Sequence, residues 1–102
     1  MSAIRPVTPE FAHARIRVLA AELPALIEAE GIAACVLAEA EMDLQGAEAC
    51  EWRGLRRGDT EPAVLAYQQA RRAHQEAARA VVENRRRAGW LKRLLKRPEV
   101  KG

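Results

Sequence analysis

Apolar residues recur every three or four positions along most of the chain, the period of an α-helix rather than of a strand. The most regular run lies in the second half, where steps of three and four alternate through Tyr67, Ala70, His74, Ala77, Val81, Asn84, Ala88, Leu91 and Leu95. This spacing is typical of the seam of a coiled coil. It predicts a helix from about residue 60 to residue 97.

The first half of the chain predicts two further helices. Thr8, Pro9 and Glu10 form a helix start, with a threonine cap, a proline in the first turn and an acid at the positive end of the helix dipole. Pro24 removes one backbone hydrogen bond and clashes with the preceding turn, which predicts a kink or a break near residues 22–23. Gly31 is a natural stop. We therefore predict helices over residues 9–30 and 32–57.

The predicted helix over residues 32–57 is apolar on two sides. One stripe consists of Leu37, Ala40, Leu44, Ala47 and Leu55, and the other of Cys35, Ala38, Met42, Ala49 and Trp52. A helix of this kind usually packs between two neighbours. Gly58 then predicts a helix end, and Asp59 or Thr60 as a cap with Pro62 in the first turn predicts a new start. The second and third helices are therefore expected to form an antiparallel hairpin.

These elements predict a single all-α domain over residues 1–102, with a kinked N-terminal helix packed on a long antiparallel helical hairpin. A second copy is expected to complete a dimeric bundle through the seam of the third helix. We assign the oligomer seam to Tyr67, Ala70, His74, Ala77, Val81, Asn84, Leu91 and Leu95. Its polar members, His74 and Asn84, are interpreted as residues that fix the register, with a ligand or a catalytic base as the alternative.

Charge is distributed unevenly between the two halves of the chain. Residues 1–50 carry three Arg against eight acids, a net charge of −5, whereas residues 51–102 carry fourteen Lys and Arg against six acids, a net charge of +8. Such a basic half favours contact with a polyanion. A further hypothesis is that an acidic strip masks the basic end by pairing with arginines of the third helix; this strip contains Glu39, Glu41, Asp43 and Glu48.

The basic amphipathic end, residues 84–97, allows three interpretations. Its cations are candidates for phosphate binding on nucleic acid, and they are Arg85, Arg86, Arg87, Lys92, Arg93, Lys96 and Arg97. The face formed by Trp90, Leu91, Leu94 and Leu95 fits a membrane surface or a protein partner instead. In the third interpretation the leucines complete the bundle and the cations are solvated. The sequence contains no helix-turn-helix spacing and no aromatic ladder for single strands, so base-specific contact is not predicted.

Catalytic chemistry has little support in the sequence. Ser2 is the only serine, two histidines leave few general bases, and no glycine-rich phosphate loop is present. Glu10 and His13 have the Glu-x-x-His spacing of carboxylate di-metal sites, which need a second such pair. The other histidine, His74, has Arg71 and not an acid three residues before it. We predict no enzyme activity, no metal, no cofactor and no small-molecule substrate.

Cys35 and Cys50 lie fifteen residues apart, which is about 22 Å along one helix and too far for a disulfide. We interpret them as small buried apolar residues. Without a signal peptide or a long apolar segment, the chain is expected in the cytoplasm. The prediction is a self-associating, non-enzymatic module whose basic end contacts DNA or RNA backbone without sequence specificity. A membrane-surface or protein-partner adaptor and a purely structural oligomer are the alternatives.

Overall fold

Two long helices form an antiparallel hairpin. The structure, a computed structural model, describes residues 8–52 and 60–96, without the side chains of residues 50–52. Helix α1 spans Pro9–Trp52 and helix α2 spans Thr60–Lys96, and no strand occurs within these ranges. The helices pack against each other in a molecule 76 Å long. The predicted all-α hairpin is confirmed.

The predicted three-helix arrangement is wrong, because the two helices expected in the first half are one. Helix α1 continues through both Pro24 and Gly31 and contains 44 residues. Several predicted features lie outside the described residues. They are the helix end near residue 57, with Gly58 as its cap, the cap at Asp59 and the apolar Leu55. The first half of the chain therefore supplies a single partner for α2, instead of a kinked helix and the first arm of a hairpin.

Helix α1 tolerates Pro24 and Gly31 because both residues lie on its exposed side. The proline leaves the carbonyl of Ala20 without its helical partner, but Ala20 is itself exposed, so water is available to that oxygen. Gly31 has open space where a Cβ would lie, and it costs the helix about 1 kcal/mol relative to Ala. Neither residue interrupts the side of α1 that packs on α2, and this packing continues on both sides of them.

The start of α1 is capped as the sequence predicts. The Thr8 side-chain hydroxyl accepts a hydrogen bond from the backbone N–H of Phe11 at 3.2 Å, and the Thr8 carbonyl accepts one from the N–H of Ala12 at 2.9 Å. Thr8 therefore satisfies a donor of the first turn, as an N-cap residue does. The cap fixes where α1 begins, directly beside Phe11 and Ala12, which lie at the end of the hairpin discussed below.

Each helix contributes one seam to the interface. Apart from Arg15, the buried and half-buried residues of α1 alternate in steps of three and four: Ala12, Ile16, Leu19, Leu23, Leu26, Glu30, Ala33, Leu37, Ala40, Leu44 and Ala47. The seam predicted on α2 is buried at Ala70, Val81, Asn84 and Leu91 and half-buried at Tyr67, His74, Ala77, Ala88 and Leu95. In the single chain the α2 seam is therefore filled by α1. Association of two copies through it stays a prediction.

Asn84 connects the two helices and marks their antiparallel register. Its side-chain amide nitrogen donates a hydrogen bond to the backbone carbonyl of Leu19 at 2.9 Å, and the side chain is buried. Counting from this hydrogen bond, a residue of α1 lies opposite a residue of α2, at the same level along the hairpin, when their two numbers add up to about 103. Ala12 then lies opposite Leu91, and these two residues join Leu19 in a buried cluster. Asn84 thus joins the two helices of one chain, and its role in fixing the register stays a prediction.

The core is small and is best developed at the end of the hairpin where α1 begins and α2 ends, which we call the open end. The cluster of Ala12, Leu19 and Leu91 is surrounded there by partly buried apolar residues, namely Ile16, Ala88, Leu94 and Leu95. Gly89 lies within an uninterrupted α2. The leucines of the basic end therefore pack on α1 as the last layers of the hairpin.

The second apolar stripe predicted for residues 32–57 has no neighbour in the described structure. Cys35, Ala38 and Met42 are exposed, and Met42 is 66% exposed, whereas the stripe of Leu37 and Ala40 faces α2. The prediction that Cys35 is buried is wrong, and the side chain of Cys50 lies outside the described residues. One side of α1 thus remains uncovered within the hairpin.

Candidate nucleic-acid interface

The cations predicted to bind phosphate lie on the outside of α2 at the open end. Six of them are exposed along the last three turns of the helix: Arg85, Arg86, Arg87, Lys92, Arg93 and Lys96. The seventh, Arg97, lies outside the described residues. Because the leucines between them pack on α1, the cations extend from a helix that is held in place by its other side. They form a positively charged surface on the side of α2 that faces away from α1.

Helical spacing divides these cations into two rows. Arg86 and Arg93 are seven residues apart and line one shallow groove with Arg87 and Trp90. Arg85 and Lys92 are also seven residues apart, and they belong to another line along the helix. The sequence predicted one cationic patch, whereas the structure places an exposed aromatic ring between the arginines of one row.

One arginine of the groove already has an acidic partner. The Arg87 Nε donates a hydrogen bond to the Glu83 carboxylate at 3.2 Å, and both side chains are about half exposed. The pair has the favourable order, with the acid four residues before the base, and contributes about 0.3–0.5 kcal/mol. Such a weak, solvated pair holds Arg87 beside the groove and leaves it able to exchange Glu83 for another anion.

The first groove lies along α2. It is lined by Glu83, Arg86, Arg87, Trp90 and Arg93, and it encloses about 400 Å³. Trp90 is 50% exposed, so one part of the indole is available at the surface. Four of the five lining residues are cationic or aromatic. The groove therefore combines donors for an anion with an apolar ring.

The second groove lies between the two helices and shares Trp90 and Arg87 with the first. It encloses about 290 Å³, and its lining consists of Phe11, Arg15, Leu19, Arg87, Trp90 and Leu91. Phe11 is 58% exposed. Phe11 and Arg15 were not predicted as site residues, because only the antiparallel register brings them beside Trp90. The sequence did indicate that both aromatic residues lie at the edge of the helix interface. Phe11 directly precedes the seam residue Ala12, and Trp90 directly precedes the seam residue Leu91.

The acidic strip does not reach the basic end. Glu39, Glu41, Asp43 and Glu48 are all exposed in the later part of α1, whereas residues 85–95 pack at the level of residues 8–18. At a rise of 1.5 Å per residue, the nearest of these acids is about 30 Å away along the hairpin. This distance exceeds the Debye length of about 8 Å at physiological ionic strength. The hypothesis that the strip masks the basic end by direct pairing is therefore wrong.

The other candidate chemistry gains no support at the described positions. Glu10 and His13 are both exposed in the first turn of α1, and no group of three residues suited to hold a metal ion is found within residues 8–52 and 60–96. Over the same ranges, neither helix is long and apolar enough to cross a membrane. Comparisons with protein-family models, with curated proteins and with solved structures find no match to this chain.

Proposed function

We propose that this protein is a non-enzymatic, self-associating helical module whose basic C-terminal helix contacts the phosphates of nucleic acid without sequence specificity. The observation that carries the proposal is the set of six exposed cations on the last three turns of α2, held by leucines that pack on α1. Arginine and lysine at this density neutralise phosphates and release the counterions condensed on them. The cytoplasmic location predicted from the sequence is part of the proposal.

The alternative, an adaptor for a membrane surface or a protein partner, depends on the face of Trp90, Leu91, Leu94 and Leu95. In the hairpin, Leu91 is buried and both Leu94 and Leu95 are partly buried against α1. Trp90 alone among the four is exposed. Insertion into a membrane requires a continuous apolar face, so the packing of the leucines favours phosphate contact over this alternative.

Self-association was predicted through the α2 seam, but α1 covers that seam in the single chain. We therefore propose that two copies associate through the uncovered side of α1 instead. Large apolar residues are exposed there, namely Val18, Ile32, Val36 and Met42. The charges of α1 favour a second copy of the chain as the partner, and they favour an antiparallel orientation. Arg15 and Arg17, the only Lys or Arg residues of α1, lie near its start, whereas acids cluster near its end. A second copy packed antiparallel on α1 brings opposite charges together. A parallel copy would place like charges side by side.

The phosphate proposal is tested by mobility shift with a random-sequence duplex over a range of salt concentrations. We expect binding that weakens steeply as salt rises, because each neutralised phosphate adds about one unit to the salt slope. Replacement of Arg85, Arg86 and Arg87 by Ala is expected to weaken binding about tenfold and to make the slope shallower by two to three units. Alanine favours helix, so α2 is retained.

The matched control replaces Arg71, Arg72 and Arg79, three exposed arginines of α2 that precede the basic end, by Ala. This variant removes charge from the same helix but not from the open end, and it is expected to change the affinity less than twofold. Equal losses in both variants would mean that net charge, and not the basic end, controls binding. The absence of binding to duplex and to single strands at low salt would reject the phosphate proposal.

Self-association is tested by analytical ultracentrifugation. The unaltered protein is expected to sediment as a dimer, and replacement of Ile32 and Met42 by Gln is expected to shift it to the mass of one chain. The control is Leu65→Gln, a change to an exposed leucine of α2, which should leave the mass unchanged. A monomer at all concentrations in the unaltered protein would contradict this part of the proposal without affecting the phosphate part.

A further inference from the structure

The open end holds an unusual pair of exposed aromatic residues. Phe11 of α1 and Trp90 of α2 line one groove, with Leu19 and Leu91 also in the lining and two arginines, Arg15 and Arg87, beside them. Neither aromatic ring belongs to the buried cluster beneath. The chain has only four Phe, Trp and Tyr residues, and two of them line this one groove at the surface. Core packing therefore does not account for their position.

We infer that this groove binds an unpaired base, so that the basic end binds single-stranded nucleic acid in preference to duplex. The inference rests on the proposed phosphate contact and specifies single-stranded nucleic acid as the molecule that is bound. A base offers two flat π faces, and proteins that bind single strands stack such faces on aromatic side chains. In a duplex the same faces are covered by neighbouring bases, so the groove cannot reach them.

The arginines around the groove match the rest of a nucleotide. Arg87 lines both grooves, and Arg86 and Arg93 continue the cationic surface on the far side of Trp90. A base against Trp90 and Phe11 therefore places its phosphates within reach of guanidinium groups that donate two hydrogen bonds at once. Arginine also stacks on aromatic rings and on bases, which adds to the same contact.

The size of the groove limits the occupant. A volume of about 290 Å³ is at the lower end of the range of ligand sites. The groove is open to solvent, so one base can lie in it while the neighbouring nucleotides of the strand continue outside it. Among residues 8–52 and 60–96, no carboxylate side chain lines this groove, so its described walls offer an anionic strand no negative charge. Glu83 lies on the neighbouring groove, where it pairs with Arg87.

The test compares, by mobility shift, a random-sequence single strand with the duplex made from it. A second measurement follows the emission of Trp90 in a protein in which Trp52 is replaced by Phe, so that Trp90 is the only tryptophan. We expect the single strand to quench Trp90 and to bind about tenfold more tightly than the duplex. Trp90→Ala and Phe11→Ala are each expected to remove most of this preference and to leave duplex affinity within about twofold. Trp90→Phe should keep most of it.

The matched control is Val82→Ala, which removes an exposed apolar side chain of α2 that lines neither groove. Circular dichroism shows whether each variant is still helical. Equal affinities for the single strand and the duplex, or a preference that survives Trp90→Ala, would overturn the inference and leave the phosphate proposal intact. No binding to either would reject both. A blue shift of Trp90 with anionic phosphatidylserine vesicles, without quenching by the single strand, would assign the groove to a membrane surface and overturn the inference.

Discussion

Replacement of Leu91 by Ala is expected to lower the free energy of unfolding by about 3 kcal/mol. Leu91 is 4% exposed and belongs to the cluster with Ala12 and Leu19. Its truncation removes buried apolar surface and leaves a cavity, because the alanine opposite is too small to fill the space. Urea unfolding followed by helical circular dichroism measures the change as a lower midpoint at an unchanged slope.

The control for this prediction is Leu65→Ala, the same chemical change at an exposed leucine of α2. It is expected to change stability by less than about 0.5 kcal/mol. If both variants lose the same amount, Leu65 is as buried as Leu91 in solution, and a second copy would have to cover it. If neither loses stability, the cluster at the open end does not hold the two helices together.

Asn84→Ala is expected to cost about 2 kcal/mol. The change removes the hydrogen bond to the Leu19 carbonyl and leaves a gap in a buried layer of the seam. Asn84→Leu fills the gap with apolar atoms and is expected to recover most of this loss, since buried polar groups often contribute more to register than to stability. Thermal unfolding distinguishes the Ala variant from the Leu variant, since each kcal/mol of lost stability lowers the melting temperature by about 4–8 °C.

Gln75→Ala serves as the control, because it removes an exposed amide from the same helix. Little change in its melting temperature is expected. A melting temperature of Asn84→Ala equal to that of the unaltered protein would show that the hydrogen bond to Leu19 does not form in solution. A Leu variant less stable than the Ala variant would show that the layer has no room for a larger apolar side chain.

The fold was predictable from the sequence only in part. The heptad spacing from Tyr67 to Leu95 predicted α2, and Thr8 with Pro9 predicted where α1 begins. Pro24 and Gly31 led to the wrong prediction of two helices in the first half, because their effect on a helix depends on which side of it they occupy. The apolar spacing passes through both without a change of phase, from Leu19 and Leu23 to Ala33 and Leu37. That continuity outweighs local helix-breaking preferences when a partner helix covers the seam.

The candidate site was predictable to a similar extent. The cations of residues 85–97 could be found from local composition alone, and so could the presence of Trp90 among them. The contributions of Phe11 and Arg15 depend on the antiparallel register, which is set by long-range packing and is marked by the Asn84–Leu19 hydrogen bond. Periodicity within one helix carries no information about which residues of another helix lie at its level.

The antiparallel register also determines how long a loop the open end closes. Layers near the connection join residues close in sequence, whereas Asn84 and Leu19 are 65 positions apart and Phe11 and Trp90 are further apart still. Closing a longer loop costs more conformational entropy. The buried cluster beneath Phe11 and Trp90 lies where this cost is greatest, so its packing offsets the entropy of closing nearly the whole chain. Any molecule bound in the groove between Phe11 and Trp90 contributes directly to keeping the final turns of both helices together.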